Sequence, residues 1–243
     1  MGAALLWGLV ASSSLILGGL AALVLPVERR VLGLVMAFGA GVLISAVAFE
    51  LVQEAFDTSA GAGGIAVGLL AGSIVFFVGD LLIDRMGGEG RKRSTGEQAT
   101  GSGLAIVLGI VLDGIPESLV LGLTVLQAGT VSVALLVAVF LSNLPEAIAA
   151  TTGLASSGWA HSRIIGLWVL VTLVSGLAAL LGYVALDTAS PRMLAFVLSF
   201  AAGAILTMLA DTMMPEAFEN SGRLVGVVTT LGFALAFAIS SFE

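Results

Sequence analysis

Two proline-glutamate pairs lie inside long apolar stretches of this chain and give its strongest indication of chemistry. Pro116-Glu117 lies within GLAIVLGIVLDGIPESLVLGL, and Pro145-Glu146 lies within VALLVAVFLSNLPEAIAATTG. Neither stretch contains a Lys or Arg that would neutralise the carboxylate. A charged side chain near a bilayer centre costs about 2.5–3.5 kcal/mol even on lenient insertion scales, so such groups usually face a protein-lined pathway. The pattern therefore predicts a pathway for a cationic ligand.

Helical spacing gathers further oxygen donors around each pair. Asp113 and Glu117 are four residues apart, and Ser142 and Glu146 repeat that spacing, so each pair shares one helix face. Because proline has no backbone N–H, each helix is expected to kink and to leave one carbonyl oxygen available beside the carboxylate. With Asn143, these groups predict a mixed oxygen site suited to Mg²⁺, Mn²⁺, Fe²⁺ or, less ideally, Zn²⁺. The alternative is that the acids are protonated and hydrogen-bonded across a helix interface.

A second group of acidic residues lies nearer the predicted membrane faces. Glu50 and Glu54 fall near the outer end of the second predicted span, and Asp211 and Glu216 fall near the inner end of the seventh. Carboxylates at a pore mouth raise the local cation concentration, which makes these residues candidate stepping stones. Glu50 and Asp211 lie deeper and are the better candidates. Glu54 and Glu216 are equally well explained as solvated acids at helix ends.

The composition places these residues in a membrane. The 243 residues are 58% hydrophobic and only 10% charged, with a mean hydropathy of +1.15, which leaves too little polar surface for a soluble protein of this size. Continuous apolar runs of about 20 residues favour helices over a barrel, and 32 glycines allow close helix packing. The absence of cysteine excludes disulfides, thiolate ligands and cysteine nucleophiles.

The apolar windows predict an all-α, polytopic membrane protein with eight transmembrane helices. They cover roughly 3–25, 31–54, 63–83, 103–126, 130–155, 163–186, 192–216 and 222–241. The first window is long for a signal-peptide core and has no basic residue before it, so it is expected to be retained. The whole chain, 1–243, is predicted to be one transmembrane domain with a flexible cytoplasmic loop at about 87–103.

The basic residues predict the orientation of these spans. Eight of the nine Lys and Arg residues fall in odd-numbered connections, and only Arg192 falls in an even-numbered one. By the positive-inside rule, the odd-numbered connections are cytoplasmic. Both termini are therefore expected on the extracytoplasmic side of a multi-pass protein of the plasma membrane.

An internal repeat relates the two ends of the chain. Residues 38–57, FGAGVLISAVAFELVQEAFD, align without gaps on residues 200–219, FAAGAILTMLADTMMPEAFE, with seven identities. In the predicted topology the second span runs outward and the seventh runs inward, which is the signature of an inverted repeat. The sequence thus predicts a 3+2+3 arrangement, in which spans four and five carry the Pro-Glu pairs at the centre.

The same residues resemble the ZIP (Zrt/Irt-like) family of divalent-metal transporters over essentially the whole chain. That family carries His-Asn-x-Pro-Glu-Gly in its fourth span and a related His/Gln-Asn/Asp-x-Pro-Glu-Gly in its fifth. The matching stretches here are DGIPES, from Asp113, and SNLPEA, from Ser142, so the Pro-Glu cores match and the histidines do not. The resemblance implies metal ligands at Glu117 and Glu146, with Asp113 in place of a histidine. Ser142 and Asn143 then occupy the flanking ligand positions, whereas Gly114 has no side chain where the family has Asn.

What the resemblance implies is a transporter and not an enzyme. A divalent ion of the Zn, Fe, Mn or Cd type would be its substrate, moved toward the cytoplasm by alternating access within a homodimer in the lipid bilayer. No permanently bound cofactor and no nucleic-acid partner are expected.

Three alternatives to metal transport differ in how well the sequence supports them. The same carboxylates would also serve proton- or cation-coupled transport of another solute. An intramembrane aspartyl protease is disfavoured, because the single tyrosine, Tyr183, is followed by Val184 and not by Asp. A retinal-binding receptor is disfavoured because the only lysine, Lys92, lies in the loop.

Overall fold

Helices account for nearly all of the chain that the structure describes. The computed structural model describes residues 1–59, 63–88 and 103–242. Its eight main helices are α1 Gly2–Val24, α2 Arg29–Ser59, α3 Gly63–Ile83, α4 Gly103–Ala128, α5 Val133–Ser156, α6 His161–Ala185, α7 Pro191–Ser221 and α8 Leu224–Ser240. No strand occurs in the described ranges, so the all-α prediction is confirmed. Most of the loop predicted at 87–103 lies outside the described residues.

The helix lengths fit a bilayer. Seven helices, from 21 residues in α3 to 31 residues in α2 and α7, are long and apolar enough to cross a membrane, and α8 is shorter at 17 residues, close to the minimum that the hydrocarbon core requires. Short turns connect α4 to α5 and α5 to α6. Gly129 and Gly158 provide these turns with φ angles of 73° and 83°, a region that glycine enters without steric cost. The two turns thus join α4, α5 and α6 one after another through short connections.

Both α2 and α7 contain a π-helical segment that the sequence did not predict. The segments are Val47–Gln53 in α2 and Leu209–Met213 in α7. Val47 and Leu209 are equivalent in the internal repeat, so the two segments begin at the same repeat position. Since π-helical turns are rare and often occur near functional sites, this shared irregularity supports the equivalence of the two helices. Glu50 and Asp211 each lie within one of these segments.

Helix packing follows the pattern that an inverted repeat requires. The contact of α2 with α8 is equivalent to that of α3 with α7, and the contact of α1 with α5 is equivalent to that of α4 with α6. The repeat mates α1 and α6 cross in opposite directions, because Gly8 contacts Gly176 whereas Gly19 contacts Trp168. Equivalent helices that run antiparallel are the mark of inverted topology.

Reciprocal glycine contacts occur at both outer helix pairs. Each glycine faces a backbone carbonyl of the opposite helix: Gly41 faces Thr229 and Gly232 faces Phe38 between α2 and α8, while Gly203 faces Leu69 and Gly72 faces Phe200 between α3 and α7. Gly203 is the repeat mate of Gly41. Small residues of this kind let transmembrane backbones touch. The same close helix crossing therefore occurs in both halves of the repeat.

Replacing Gly41 or Gly203 by Ala is expected to destabilise the bundle, because the new Cβ would overlap a backbone carbonyl. Overpacking of this kind typically costs about 1–3 kcal/mol, so the unfolding temperature of the purified protein in detergent should fall. Gly226→Ala in α8 is the matched control, since a Cβ there has no heavy atom within 4 Å. Equal unfolding temperatures for Gly41→Ala and Gly226→Ala would contradict the close crossing.

Candidate functional site

Three of the predicted site residues converge on a buried cavity at the centre of the bundle. Asp113 from α4 and Asn143 and Glu146 from α5 line this cavity. Asp113 is 3% exposed and Glu146 is 7% exposed. The cavity has about 10 Å³ of free space, which is close to what one water molecule needs. The structure thus brings two carboxylates and one amide from different helices to a single small space.

The remaining walls of the cavity are mostly apolar, and Trp168 of α6 connects two of the helices that form them. They are formed by Leu15, Ile110, Gly114, Ala150, Trp168 and Val171. The Trp168 indole donates a hydrogen bond to Thr151 Oγ1 at 2.7 Å and packs on Gly19 of α1. Because apolar walls solvate charge poorly, ionised carboxylates here need a cation or hydrogen-bond donors to offset their burial.

Glu117 and Ser142 lie beside the cavity and do not line it. Glu117 is only 1% exposed and follows Asp113 by one helical turn. Ser142 is fully buried, donates a hydrogen bond to the Val139 carbonyl at 3.1 Å, and packs against Gly39 of α2. Its hydroxyl hydrogen is therefore used within its own helix. Ligand roles for Glu117 and Ser142 stay predictions.

The prolines are accommodated inside continuous helices. Pro116 lies within α4 and Pro145 lies within α5, and both helices extend on either side of the proline. Because Pro145 has no N–H, the carbonyl of Leu141 loses its usual helical donor. That carbonyl lies against Gly39 of α2. The Leu141 oxygen, which Pro145 leaves without a helical donor, therefore lies at the contact between α5 and α2.

The acidic pair of α2 lines an open vestibule at one end of the bundle. Glu50 and Glu54 lie with the α4–α5 connection around a space of about 480 Å³. Glu50 accepts hydrogen bonds from Ser132 Oγ at 2.8 Å and from Ser240 Oγ at 2.6 Å. Glu54 Oε1 accepts a hydrogen bond from Gln127 Nε2 at 3.2 Å. Both acids are thus hydrogen-bonded to neighbouring helices. The interpretation of Glu54 as a simply solvated acid did not predict such a bond.

The acids of α7 differ from each other in environment. Asp211 has an exposed side chain and lies near enough to Asp80 of α3 for the two charges to interact. Glu216 is only 7% exposed, so its interpretation as a solvated acid is wrong. The sequence carried a signal for this burial, because Pro215 precedes Glu216 and makes a third Pro-Glu pair.

Helix α6 contributes polar groups that the sequence did not single out. Ser175 is buried, and its hydroxyl lies 3.4 Å from the position that a Cβ of Gly114 would occupy. Thr172 Oγ1 donates a hydrogen bond to the Ser12 carbonyl at 3.1 Å. Residues 164–185 of α6 contain no acidic or basic residue, so the sequence does not mark these hydroxyls and only the three-dimensional contacts reveal them.

The donor set at the central cavity is made of oxygens. Within residues 1–59, 63–88 and 103–242, no three His, Cys, Asp or Glu side chains form a metal-binding cluster. The cavity instead combines two carboxylates with an amide, and donors of this kind suit hard cations.

The fold and the site define a polytopic helical membrane protein with a buried acidic centre. Comparison of the sequence with protein-family models finds no matching family, and comparison with curated proteins finds no significant match. Function is therefore argued from the chemistry of the site.

Proposed function

We propose that this protein transports a divalent metal cation through the cavity between α4 and α5. The observation that carries the proposal is the convergence of Asp113, Asn143 and Glu146 on one buried space within apolar helices. Buried intramembrane acids usually mark an ion pathway. A cation that exchanges its water for these oxygens would offset the carboxylate charge, so the chemistry is ligand exchange and the ion is the substrate.

The size of the cavity favours an ion over a larger solute. A space of about 10 Å³ fits a small ion or one water molecule. This supports a small cation as the ligand of the cavity. Since Asp113 supplies oxygen where the ZIP family has imidazole, we expect Mn²⁺ and Fe²⁺ to compete well with Zn²⁺ and Cd²⁺.

The helix contacts support alternating access. The most extensive contacts stay within one of two groups: a site bundle of α1, α4, α5 and α6, and a flanking bundle of α2, α3, α7 and α8. In inverted-repeat transporters one bundle typically moves against the other. The site bundle carries Asp113, Glu117 and Glu146, so its movement against the flanking bundle would expose them to each side in turn.

The charge distribution supports an orientation in which the vestibule at Glu50 opens to the extracytoplasmic side, because eight of the nine basic residues fall in odd-numbered connections. A cation that enters there would move toward the cytoplasm. We further propose that the protein lies in the plasma membrane as a homodimer with both termini outside, as the resemblance to the ZIP family implies.

Glu117→Ala and Glu146→Ala are each expected to abolish metal uptake into proteoliposomes while leaving expression and folding largely intact. Losing even an outer-shell partner costs about 10–100-fold at typical metal sites, so losing a ligand should lower uptake by about 100-fold. Glu219→Ala, which removes an exposed acid of α7, is the control and should transport normally. Near-normal uptake in either site variant would falsify the assignment of the central site.

The double substitution Asp113→His with Gly114→Asn is expected to shift selectivity toward Zn²⁺ and Cd²⁺ relative to Mn²⁺, because imidazole is a softer donor than carboxylate. A Cβ at position 114 meets only Ser175 Oγ, at 3.4 Å, so the new side chain has room. Competition between these ions during uptake measures the shift, with Gly114→Asn alone as the control. An unchanged competition profile would show that position 113 does not contact the ion.

Cysteine labelling is expected to distinguish the two membrane faces. The natural chain has no cysteine, so Glu50→Cys should react with a membrane-impermeant thiol reagent added outside, and Asp211→Cys only with reagent added inside. Saturating metal should change both rates, because it shifts the conformational equilibrium. Reaction of both variants from the same face would contradict the inverted arrangement.

A further inference from the structure

Two hydrogen bonds at the vestibule cross from the site bundle to the flanking bundle. Ser132 Oγ, at the start of α5, donates to Glu50 Oε2 at 2.8 Å, and Gln127 Nε2, near the end of α4, donates to Glu54 Oε1 at 3.2 Å. The donors lie on either side of the turn at Gly129. Both acceptors belong to α2, so the pair of bonds fastens the α4–α5 turn to the flanking bundle.

Several other hydrogen bonds between helices stay inside one bundle. Examples are Trp168 to Thr151 and Thr172 to Ser12 in the site bundle, and Thr207 to Ser73 and Ser221 to Arg30 in the flanking bundle. The Ser240 hydroxyl also donates to Glu50 Oε1 at 2.6 Å from α8. That bond fixes the Glu50 carboxylate on the flanking side, where it can accept from the site bundle.

We propose that these two bonds form a latch that holds the site bundle in the present conformation, and that a divalent cation entering the vestibule opens it. The second part rests on the proposed transport function. A ligand shifts a conformational equilibrium only through different affinities for the two states. In the latched state, hydroxyl and amide hydrogens occupy carboxylate oxygens of Glu50 and Glu54. In the open state these oxygens are available to the cation, so the cation favours opening.

The chemistry of the latch makes it specific for cations. Hydrogen bonds to a carboxylate are about twice as strong as neutral ones, and they weaken when a cation neutralises the acceptor. A neutral solute would leave both bonds intact. A cation in the vestibule would thus release the site bundle, which carries the central site.

Ser132 has a second role that the test must separate from the latch. As N-cap of α5, its Oγ also accepts a hydrogen bond from the Leu135 N–H at 3.1 Å. Ser132→Asp keeps a good N-cap but places a second carboxylate against Glu50. Ser190→Ala removes the corresponding N-cap of α7, which accepts from the Met193 N–H at 3.4 Å, and Ser190 does not line the vestibule.

The experiment uses the full chain in liposomes with Val131→Cys as reporter. Val131 lines the vestibule beside Ser132 and is buried, so opening of the latch should expose its thiol to an impermeant reagent added outside. We expect Ser132→Asp with Gln127→Leu to raise the labelling rate by about tenfold, since each hydrogen bond to a charged group contributes substantially. Ser190→Ala should leave the rate unchanged.

The cation response provides the second measurement. Mn²⁺, which prefers oxygen to thiol donors, should raise the labelling rate of the reporter protein toward that of the latch variant and should have little further effect on that variant. Equal rates in the reporter protein and the latch variant would overturn the latch. An equal Mn²⁺ response in both would overturn the cation trigger.

Glu117→Ala in the reporter background separates this inference from the transport proposal. Its Mn²⁺ response should persist, because the vestibule acids are intact. Loss of the response would place the trigger in the central site and overturn the vestibule latch. If the reporter protein shows the Mn²⁺ response but takes up no metal, the transport proposal is contradicted and the latch proposal is not.

Discussion

The cost of burying carboxylates in an apolar interior is the constraint on which the rest of this structure depends. Asp113, Glu117 and Glu146 are almost completely enclosed, and burying a charged side chain costs free energy unless it is paired or hydrogen-bonded. The polar groups of α4 and α5 that line the cavity must therefore lie close together. The short turn at Gly129 and the contacts of both helices with α1 and α6 provide that closeness.

The flanking helices provide a frame against which the site bundle is placed. At the crossings of α2 with α8 and of α3 with α7, glycines bring the backbones into direct contact. Such contacts lack long side chains that adjust, so they favour one fixed geometry. The two bundles meet closely where Gly39 of α2 packs on α5, and at the vestibule they are linked by side-chain hydrogen bonds to Glu50 and Glu54. Bonds of that kind exchange readily with water or ions, which suits a movable interface.

Features set by local sequence were predictable, and features set by contacts between helices were not. Hydropathy located all eight helices, and the Pro-Glu pairs located the central acids, because length and composition alone decide membrane crossing. The burial of Glu216 and the placement of Ser142 against Gly39 depend on which neighbouring helix covers each face. The π-helical segments of α2 and α7 were also missed, since an extra residue per turn leaves no mark in an apolar pattern.

The internal repeat explains why the two ends of the bundle are not equivalent. In the alignment of the two repeats, Glu50 is equivalent to Thr212, and Asp211 is equivalent to Phe49. A displacement of one residue rotates a side chain by roughly a quarter of a turn around a helix. Glu50 accordingly faces the vestibule, whereas Asp211 lies toward Asp80 of α3. The Thr212 hydroxyl donates to the Met208 carbonyl of its own helix at 2.7 Å and so forms no counterpart of the hydrogen bonds at Glu50. Similar backbones with displaced acids thus give the two ends of the bundle different chemistry, and only the end at Glu50 links α2 to the α4–α5 turn through a carboxylate.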